Sequence, residues 1–165
     1  MVEGYIKKDK RKKILLLSDD LRMHSGVATM SREIVVGTAH KYNWFQLGAA
    51  LKHPEAGKVI DVSAEINKER QIPDADVKVM PFEGYGNANI IRQLLKREKV
   101  DAIFIFTDPR YWIWLFEIER EIRTQIPICW LNIWDDYPAP MYNRDYYNSV
   151  DCLMGISKQT VNINK

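Results

Sequence analysis

Short apolar runs that alternate with helical patterns are the feature of this chain that most restricts its fold. Residues 13–18 and 101–107 are largely apolar runs of the length expected for strands buried on both faces of a sheet. Between them, Val27, Met30 and Ile34 recur at helical spacing. Further strands are predicted over residues 44–50, 58–62, 77–81, 127–133 and 152–156.

This alternation predicts a doubly wound, Rossmann-like α/β fold in a single domain, with a parallel sheet of six or seven strands. The strand at residues 13–18 is expected at the centre, between the strands that contain Trp44 and Ala102. We place the domain at residues 13–165 and a basic N-terminal arm at residues 1–12.

Composition narrows the functional class. A length of 165 residues fits one domain, and 46% hydrophobic with 28% charged residues argues against disorder. The net charge of +2 indicates no general affinity for nucleic acid. The chain has no apolar run long enough to span a membrane and no signal peptide, so we expect a soluble, cytoplasmic domain. Cys129 and Cys152 cannot supply a disulfide framework and are expected to be buried apolar residues.

The positive charge is concentrated in one segment. The run from Lys7 to Lys13 holds six basic residues and one acidic residue. We interpret it as a solvated arm that leads into the first strand. The alternative is a weak contact with anionic lipid head groups, which would make the protein peripheral to a membrane, or with a polyanionic substrate. No aromatic residues interleave the run, as binding to single-stranded nucleic acid would favour.

Ligands of parallel α/β sheets bind beyond the carboxyl ends of the strands. That rule selects the loops at residues 18–26, 84–89, 107–110, 134–140 and 157–160. The chain has no G-x-G-x-x-G after its first strand, no P-loop and no G-x-S-x-G elbow. Its histidines are scattered at His24, His40 and His53, so neither a bound cofactor nor a metal is expected. A receiver domain is excluded because 88 residues separate Asp20 from Asp108, and Asp19 and Asp20 are interpreted as turn caps.

The order and spacing of several segments resemble a known family. The first strand is followed by Ser25-Gly26-Val27 at the start of a helix, and a later strand ends in Phe106-Thr107-Asp108. The strand that begins Pro127-Ile128-Cys129 and the segment from Val150 to Ser157 follow in the same order. Over residues 13–160 this pattern resembles the N-terminal domain of retaining GT-B glycosyltransferases of the family-4 type. The chain departs from that family at Ser25, where a glycine is common, and at Trp134-Asp135-Asp136, where a histidine is common.

The resemblance implies the N-terminal, acceptor-side half of an enzyme that moves a sugar from a nucleotide sugar to an acceptor hydroxyl. In the family that this chain resembles, a second Rossmann-like domain makes most of the contacts with the nucleotide-sugar donor. That C-terminal domain has no counterpart in these residues, so the chain is expected to be inactive alone. The resemblance further implies a carbohydrate or lipid-linked acceptor, no required metal, and a substrate-side role for Ser157, which begins the helix before the second domain.

The residues at the predicted edge fit this chemistry. Backbone N–H groups at Ser25, Gly26 and Val27 on a helix N-terminus form an anion site, and the missing side chain at Gly26 would let a diphosphate approach. His24 would neutralise phosphate charge or orient an acceptor hydroxyl. The Asp108 carboxylate would accept a hydrogen bond from a sugar hydroxyl. The alternatives are helix-capping roles for Ser25 and Asp108.

The loop after the 127–133 strand resembles a sugar site. Trp134 and Tyr137 would stack on the apolar face of a sugar while Asp135 and Asp136 accept its hydroxyls. The alternative is a solvated loop anchored by one buried ring. For the whole chain, two further alternatives remain: a non-catalytic flavodoxin-like module that binds a nucleotide or another ligand, and a Rossmann enzyme that modifies sugar nucleotides.

Overall fold

The computed structural model describes residues 2–49, 52 and 54–164. Its central strand is β1 (Lys12–Asp19), in which Leu15, Leu16 and Leu17 are completely buried. The other strands are β2 (Tyr42–Ala49), β3 (Ile60–Asp61), β4 (Val77–Pro81), β5 (Ala102–Ile105), β6 (Ile128–Asn132) and β7 (Cys152–Gly155). Their order across the sheet is β3-β4-β2-β1-β5-β6-β7.

Helices lie on both faces of this sheet. They are α1 (Gly26–Thr38), α2 (Ser63–Arg70), α3 (Ala88–Glu98), α4 (Ile113–Glu117), α5 (Glu119–Arg123), α6 (Arg144–Asn148) and α7 (Lys158–Ile163). Short 3-10 turns occur at Lys8–Lys10, Pro109–Trp112 and Met141–Asn143. The predicted doubly wound, Rossmann-like α/β fold is confirmed for the described residues.

The strand pairing also confirms the predicted centre of the sheet. β1 pairs in parallel with β2 on one side and with β5 on the other. The pairs β2–β4, β5–β6 and β6–β7 are parallel too. The predicted strand at residues 58–62 is only the two-residue β3, which pairs antiparallel with β4 at the edge. Ala50, the last residue of the predicted 44–50 strand, lies outside the described residues.

Two apolar clusters follow from the alternation of side chains along the strands. On one face, Leu15, Leu17 and Phe45 pack with Leu94 of α3 and Leu115 of α4. On the other face, Leu16 and Trp44 pack with Val35 of α1 and Ile66 of α2. On this second face, Phe104, Cys129, Leu131 and Met154 of the β5–β7 half remain half-exposed and Cys152 is exposed.

The N-terminal arm is not a fully solvated segment, contrary to the expectation. Arg11 is only 7% exposed, because its guanidinium donates to the Asp74 carboxylate and its Nε donates to the Ile6 carbonyl at 2.7 Å. The Tyr5 hydroxyl donates to the same carboxylate at 2.8 Å. Lys7, Lys8 and Lys10 remain exposed. The arm therefore docks on the chain just before β4 through Tyr5 and Arg11, while its lysines face solvent.

The cysteine prediction was wrong for Cys152, which is exposed, and Cys129 is half-buried. Both lie on the β5–β7 half of the second face, which is more exposed in the described part of the chain than the half packed by α1 and α2. Within residues 2–49, 52 and 54–164, no helix has the length and apolarity needed to cross a membrane.

Candidate functional site

The carboxyl ends of β1, β5, β6 and β7 lie next to one another because these neighbours are parallel. Backbone bonds extend the alignment past the strands: the Phe106 amide donates to the Leu17 carbonyl at 3.0 Å, and the Ile156 amide donates to the Asn132 carbonyl at 3.0 Å. Ser25, Asp108, Trp134 and Ser157 follow these four strands. The structure therefore places the predicted site segments along a single sheet edge.

The start of α1 is open. The Ser25 hydroxyl accepts from the Ala28 amide at 3.1 Å, and the Ser25 carbonyl accepts from the Thr29 amide at 2.9 Å. Gly26 and Val27 thus present the first-turn amides that no helical carbonyl can reach. A Cβ placed on Gly26 would meet no atom within 4 Å. The capping role of Ser25 is present, and so is an uncovered helix N-terminus.

His24 precedes this turn and is exposed. It lies next to the α1 start in sequence, as predicted, and its side chain faces solvent.

Asp19 and Asp20 differ in burial and in their hydrogen-bond partners. Asp20 is fully buried and accepts from the Arg22 amide at 2.9 Å, from its Nε at 2.9 Å and from its Nη2 at 2.6 Å. It is a turn cap, as interpreted from the sequence. Asp19 is half-buried, and its burial raises the pKa of the carboxyl although the Ser25 hydroxyl donates to it at 3.2 Å. Asp19 therefore belongs to the candidate site, which the sequence analysis had not recognised.

Asp108 has a clear structural role. Its Oδ1 accepts from the Arg110 amide at 2.9 Å, which caps the Pro109–Trp112 turn, and its carboxylate pairs with the Arg110 guanidinium. Hydrogen bonds from Arg110 lower the pKa of Asp108, so the carboxylate stays ionised. The Arg110 guanidinium lies 5.9 Å from the ring centre of Tyr142. The pair brings the Arg110 guanidinium into the candidate site, and the sequence analysis had not identified this residue.

A tyrosine connects the two halves of the edge. The rings of Tyr85 and Tyr111 stack with centroids 4.4 Å apart and an angle of 9°. Burial, with the charges of Asp19, Tyr111 and Asp108, raises the pKa of Tyr85. Tyr85 therefore lies within electrostatic range of carboxylates that follow both β1 and β5. Its segment, residues 84–89, was selected from the sequence, but its aromatic residue was not.

A small cavity lies beyond β5 and β6. It has a volume of about 200 Å³, and Asp108, Asn132, Trp134, Asp135 and Asn143 line it. The structure thus brings three of the predicted residues, Asp108, Trp134 and Asp135, to one cavity. Trp134 is half-buried, its indole N–H donates to the Asp136 carbonyl at 2.7 Å, and its ring meets Tyr142 edge-on at 5.8 Å.

Two buried asparagines line this cavity. Asn132 is 2% exposed and Asn143 is 1% exposed. Asn132 accepts from the Trp134 amide at 3.1 Å, while its Nδ2 and the Oδ1 of Asn143 form no hydrogen bond of good geometry among the described residues. Both asparagines also lie beside the Tyr147 hydroxyl, which has no hydrogen bond of good geometry either, so the three side chains form one buried polar cluster next to the cavity. No motif in the sequence marks these residues; their positions, at the end of β6 and directly before α6, were the available signal.

Other predicted residues lie elsewhere on the edge. Tyr137 is 81% exposed and lines a separate hollow with Lys158 and Gln159. Asp136 is exposed, and its side chain accepts from the Tyr137 amide at 2.8 Å. The Ser157 hydroxyl caps α7 by accepting from the Thr160 amide at 3.1 Å. The loop joins α7 through a bond from Gln159 Nε2 to the Asp135 carbonyl at 3.1 Å.

Among the described residues, no group of three or more His, Cys, Asp or Glu side chains could hold a metal ion. His53 lies outside those residues. Comparisons of the chain with protein-family models, with curated proteins and with solved structures find no match in any of the three.

Proposed function

We propose that the chain is the acceptor-side domain of a GT-B glycosyltransferase, which moves a sugar from a nucleotide sugar to an acceptor hydroxyl. The observation that carries this proposal is the pairing, along one sheet edge, of an open helix N-terminus with a small polar cavity. The helix start at Gly26 and Val27 suits a phosphate, and the Asn132–Asn143 cavity suits a hydroxyl-rich ligand.

In this proposal the diphosphate of the donor binds near Gly26. The carboxyl of Asp19, whose pKa is raised by burial, lies beside this helix start, because the Ser25 hydroxyl donates to it at 3.2 Å. The Arg110 guanidinium lies near the β5 end of the edge, where it pairs with Asp108 and would have to turn from that carboxylate to contact a phosphate. No bound metal is invoked, because helix amides and a basic side chain bear the phosphate charge.

The acceptor, a carbohydrate or lipid-linked group, binds in the cavity beside Trp134. The half-buried Trp134 ring offers a face to a sugar, while Asp135 and the two asparagines offer hydrogen-bonding groups. Tyr137 and Ser157 would meet the acceptor or a second domain on the β7 side. A second domain would supply most donor contacts, so the present chain should bind nucleotide sugars weakly.

The exposed lysines of the arm belong to the opposite end of the sheet, since Lys8 and Lys10 directly precede β1 and the candidate site follows the strand ends. A contact between these lysines and anionic lipid would therefore leave the candidate site free. This arrangement favours lipid over the substrate as the partner of the arm in the same proposal.

The experiment is a titration of the chain with UDP, GDP and their sugar derivatives, followed by calorimetry or NMR. We expect a Kd weaker than about 100 µM for the best ligand. Gly26→Val should weaken it at least about tenfold, because the new side chain would occupy the phosphate approach. Gly37→Val, at the other end of α1, is the matched control, since a Cβ there also meets no atom within 4 Å.

Equal binding by the two valine variants would contradict the assignment of the phosphate site. Binding of a flavin nucleotide by the unmodified chain, with visible flavin absorbance and no binding of nucleotide sugars, would favour the flavodoxin-like alternative instead.

A further inference from the structure

Two cysteines lie side by side on the less covered half of the second sheet face. Cys129 of β6 and Cys152 of β7 are direct partners in the parallel register. Such partners project from the same face, and neighbouring strands lie about 4.8 Å apart. Both side chains line one shallow cavity of about 280 Å³ together with Phe104 and Met154. The strand spacing lies within the range of about 4.4–6.8 Å between Cα atoms that a disulfide bridges.

Asp151 fixes this arrangement at the start of β7. Its carboxylate accepts from the Ile128 amide at 2.8 Å and from Arg123 Nε at 3.0 Å. Its own amide donates to the Ile128 carbonyl at 2.8 Å. These bonds hold the residue before Cys152 against the residue before Cys129, so the two thiols stay in register.

The two thiols differ in accessibility. Cys152 is exposed and Cys129 is half-buried. Burial, with the neighbouring Cys152 thiol and the Asp151 carboxylate, raises the pKa of Cys129. Because the thiolate is the reactive form, Cys152 is the cysteine that meets an external reagent first.

We propose that Cys129 and Cys152 form an oxidation site, which hydrogen peroxide converts to an intramolecular disulfide. The Cys152 thiolate attacks one peroxide oxygen, the O–O bond breaks, and the departing hydroxide takes a proton to become water. The resulting sulfenic acid is then attacked by the Cys129 sulfur, its S–O bond breaks, and a second water leaves with the thiol proton.

In sum, the two thiols lose two electrons, the peroxide gains them, and one disulfide and two waters result. The bond would tie the edge strand β7 covalently to β6, and a dithiol reductant would reverse it. The site lies on a sheet face, away from the strand ends that form the candidate glycosyltransferase site, and does not depend on that function.

The test uses the unmodified chain. It is treated with a small excess of hydrogen peroxide, its remaining thiols are alkylated, and it is digested with trypsin. Cleavage after Arg123, Arg144 and Lys158 puts Cys129 in residues 124–144 and Cys152 in residues 145–158. We expect these two peptides to be recovered linked from monomeric protein, and alkylated separately after dithiothreitol treatment.

Recovery of both cysteines alkylated after peroxide treatment would overturn the proposal. So would a link found only in dimers, or conversion of Cys152 to sulfinic acid while Cys129 stays alkylated. None of these outcomes depends on a variant that folds.

Two serine variants then test the order of the steps. In Cys129→Ser, sulfenic acid at Cys152 should accumulate and be trapped by dimedone. In Cys152→Ser, the remaining thiol should react at least about threefold more slowly, since it is less exposed. Equal rates for the two single thiols would contradict the assignment of Cys152 as the first to react.

Discussion

Burial separates the roles of neighbouring carboxylates at the end of β1. Asp20 is enclosed over Gly48, where an added Cβ would come within 2.8 Å of its Oδ2, and Arg22 neutralises it. Asp19, the last residue of β1, is half-buried and accepts from the Ser25 hydroxyl. Asp20 therefore stabilises the turn after β1, while Asp19 lies beside the start of α1 in the candidate site.

At the same scale, Asp108 combines a capping bond with a charge, and two substitutions separate them. Asp108→Ala removes both and should lower the free energy of unfolding by about 1 kcal/mol. Asp108→Asn keeps an oxygen that accepts from the Arg110 amide. It should lower the free energy of unfolding by only about 0.3 kcal/mol, since asparagine is a good N-cap. Chemical denaturation of the two variants measures the difference.

The outcome distinguishes the two roles of Asp108. If a cap were its whole role, Asp108→Asn would bind nucleotide sugars and acceptor sugars like the unmodified chain. We expect Asp108→Asn to bind acceptor sugars more weakly in spite of near-normal stability. Equal loss of stability in both variants would contradict the capping assignment.

At the level of elements, the N-terminal arm and the segment after β5 show how packing changes a sequence pattern. Trp114, Ile118 and Ile122 have helical spacing in the sequence, but of these three only Ile122 is buried, together with Trp112 and Leu115. A 3-10 turn precedes α4, and α4 and α5 are separate five-residue helices on either side of Ile118. This irregular path turns Trp112 into the core beneath Tyr85, with ring centroids 5.6 Å apart.

The docked arm predicts a pH dependence of stability. Burial raises the pKa of Asp74, but hydrogen bonds from Arg11, Tyr5 and Lys8 outweigh it and hold the pKa below the ordinary 3.8. A depressed pKa means that folding favours the ionised form, so this stabilisation is present above about pH 4 and is lost as the pH falls through the folded-state pKa.

Thermal unfolding of Asp74→Asn from about pH 7 to about pH 3 measures this effect. The variant should melt below the unmodified chain at neutral pH, and the difference should narrow in acid. Asp9→Asn, in the docked arm itself, is the matched control, because its side chain is 70% exposed, and it should change little at any pH. A difference for Asp74→Asn that stays constant with pH would contradict the ion pair.

For the whole molecule, the sheet is covered unevenly. The first face is packed by α3 to α6 over the strands from β2 to β6, whereas the β5–β7 half of the second face keeps partly exposed apolar residues. The candidate site occupies only one edge of this single sheet. With one edge and no opposing surface among the described residues, a bound donor would be contacted from one side.

From this one-sided arrangement we predict that the 165-residue chain neither transfers nor hydrolyses sugar from common nucleotide sugars. The physical reason is that a donor held weakly and open to water is not fixed in a reactive geometry. Chromatography of the nucleotide products after long incubation measures turnover, with an active two-domain glycosyltransferase run in parallel as the control. Sustained transfer by this chain would contradict the assignment as an acceptor-side half.

The sequence by itself determined the α/β class, the central strand and the edge on which the site segments lie. These follow from local information: apolar runs such as Leu15–Leu17, turn residues, and the fact that parallel strands share one carboxyl edge. The helix α2 was not predicted, because Ile66 is its sole buried residue and eight mostly polar positions give little periodic signal.

Only the tertiary structure decided which polar residues meet. Asn132 and Asn143 share a cavity although they lie on different elements, and the charges of Asp19 and Asp108 act on Tyr85. Arg11 is buried against Asp74, 63 residues further along the chain. The exposure of Cys152 was misjudged for the same reason. Hydrophobic periodicity reports which face a residue occupies, whereas its burial depends on whether a distant helix packs over that face.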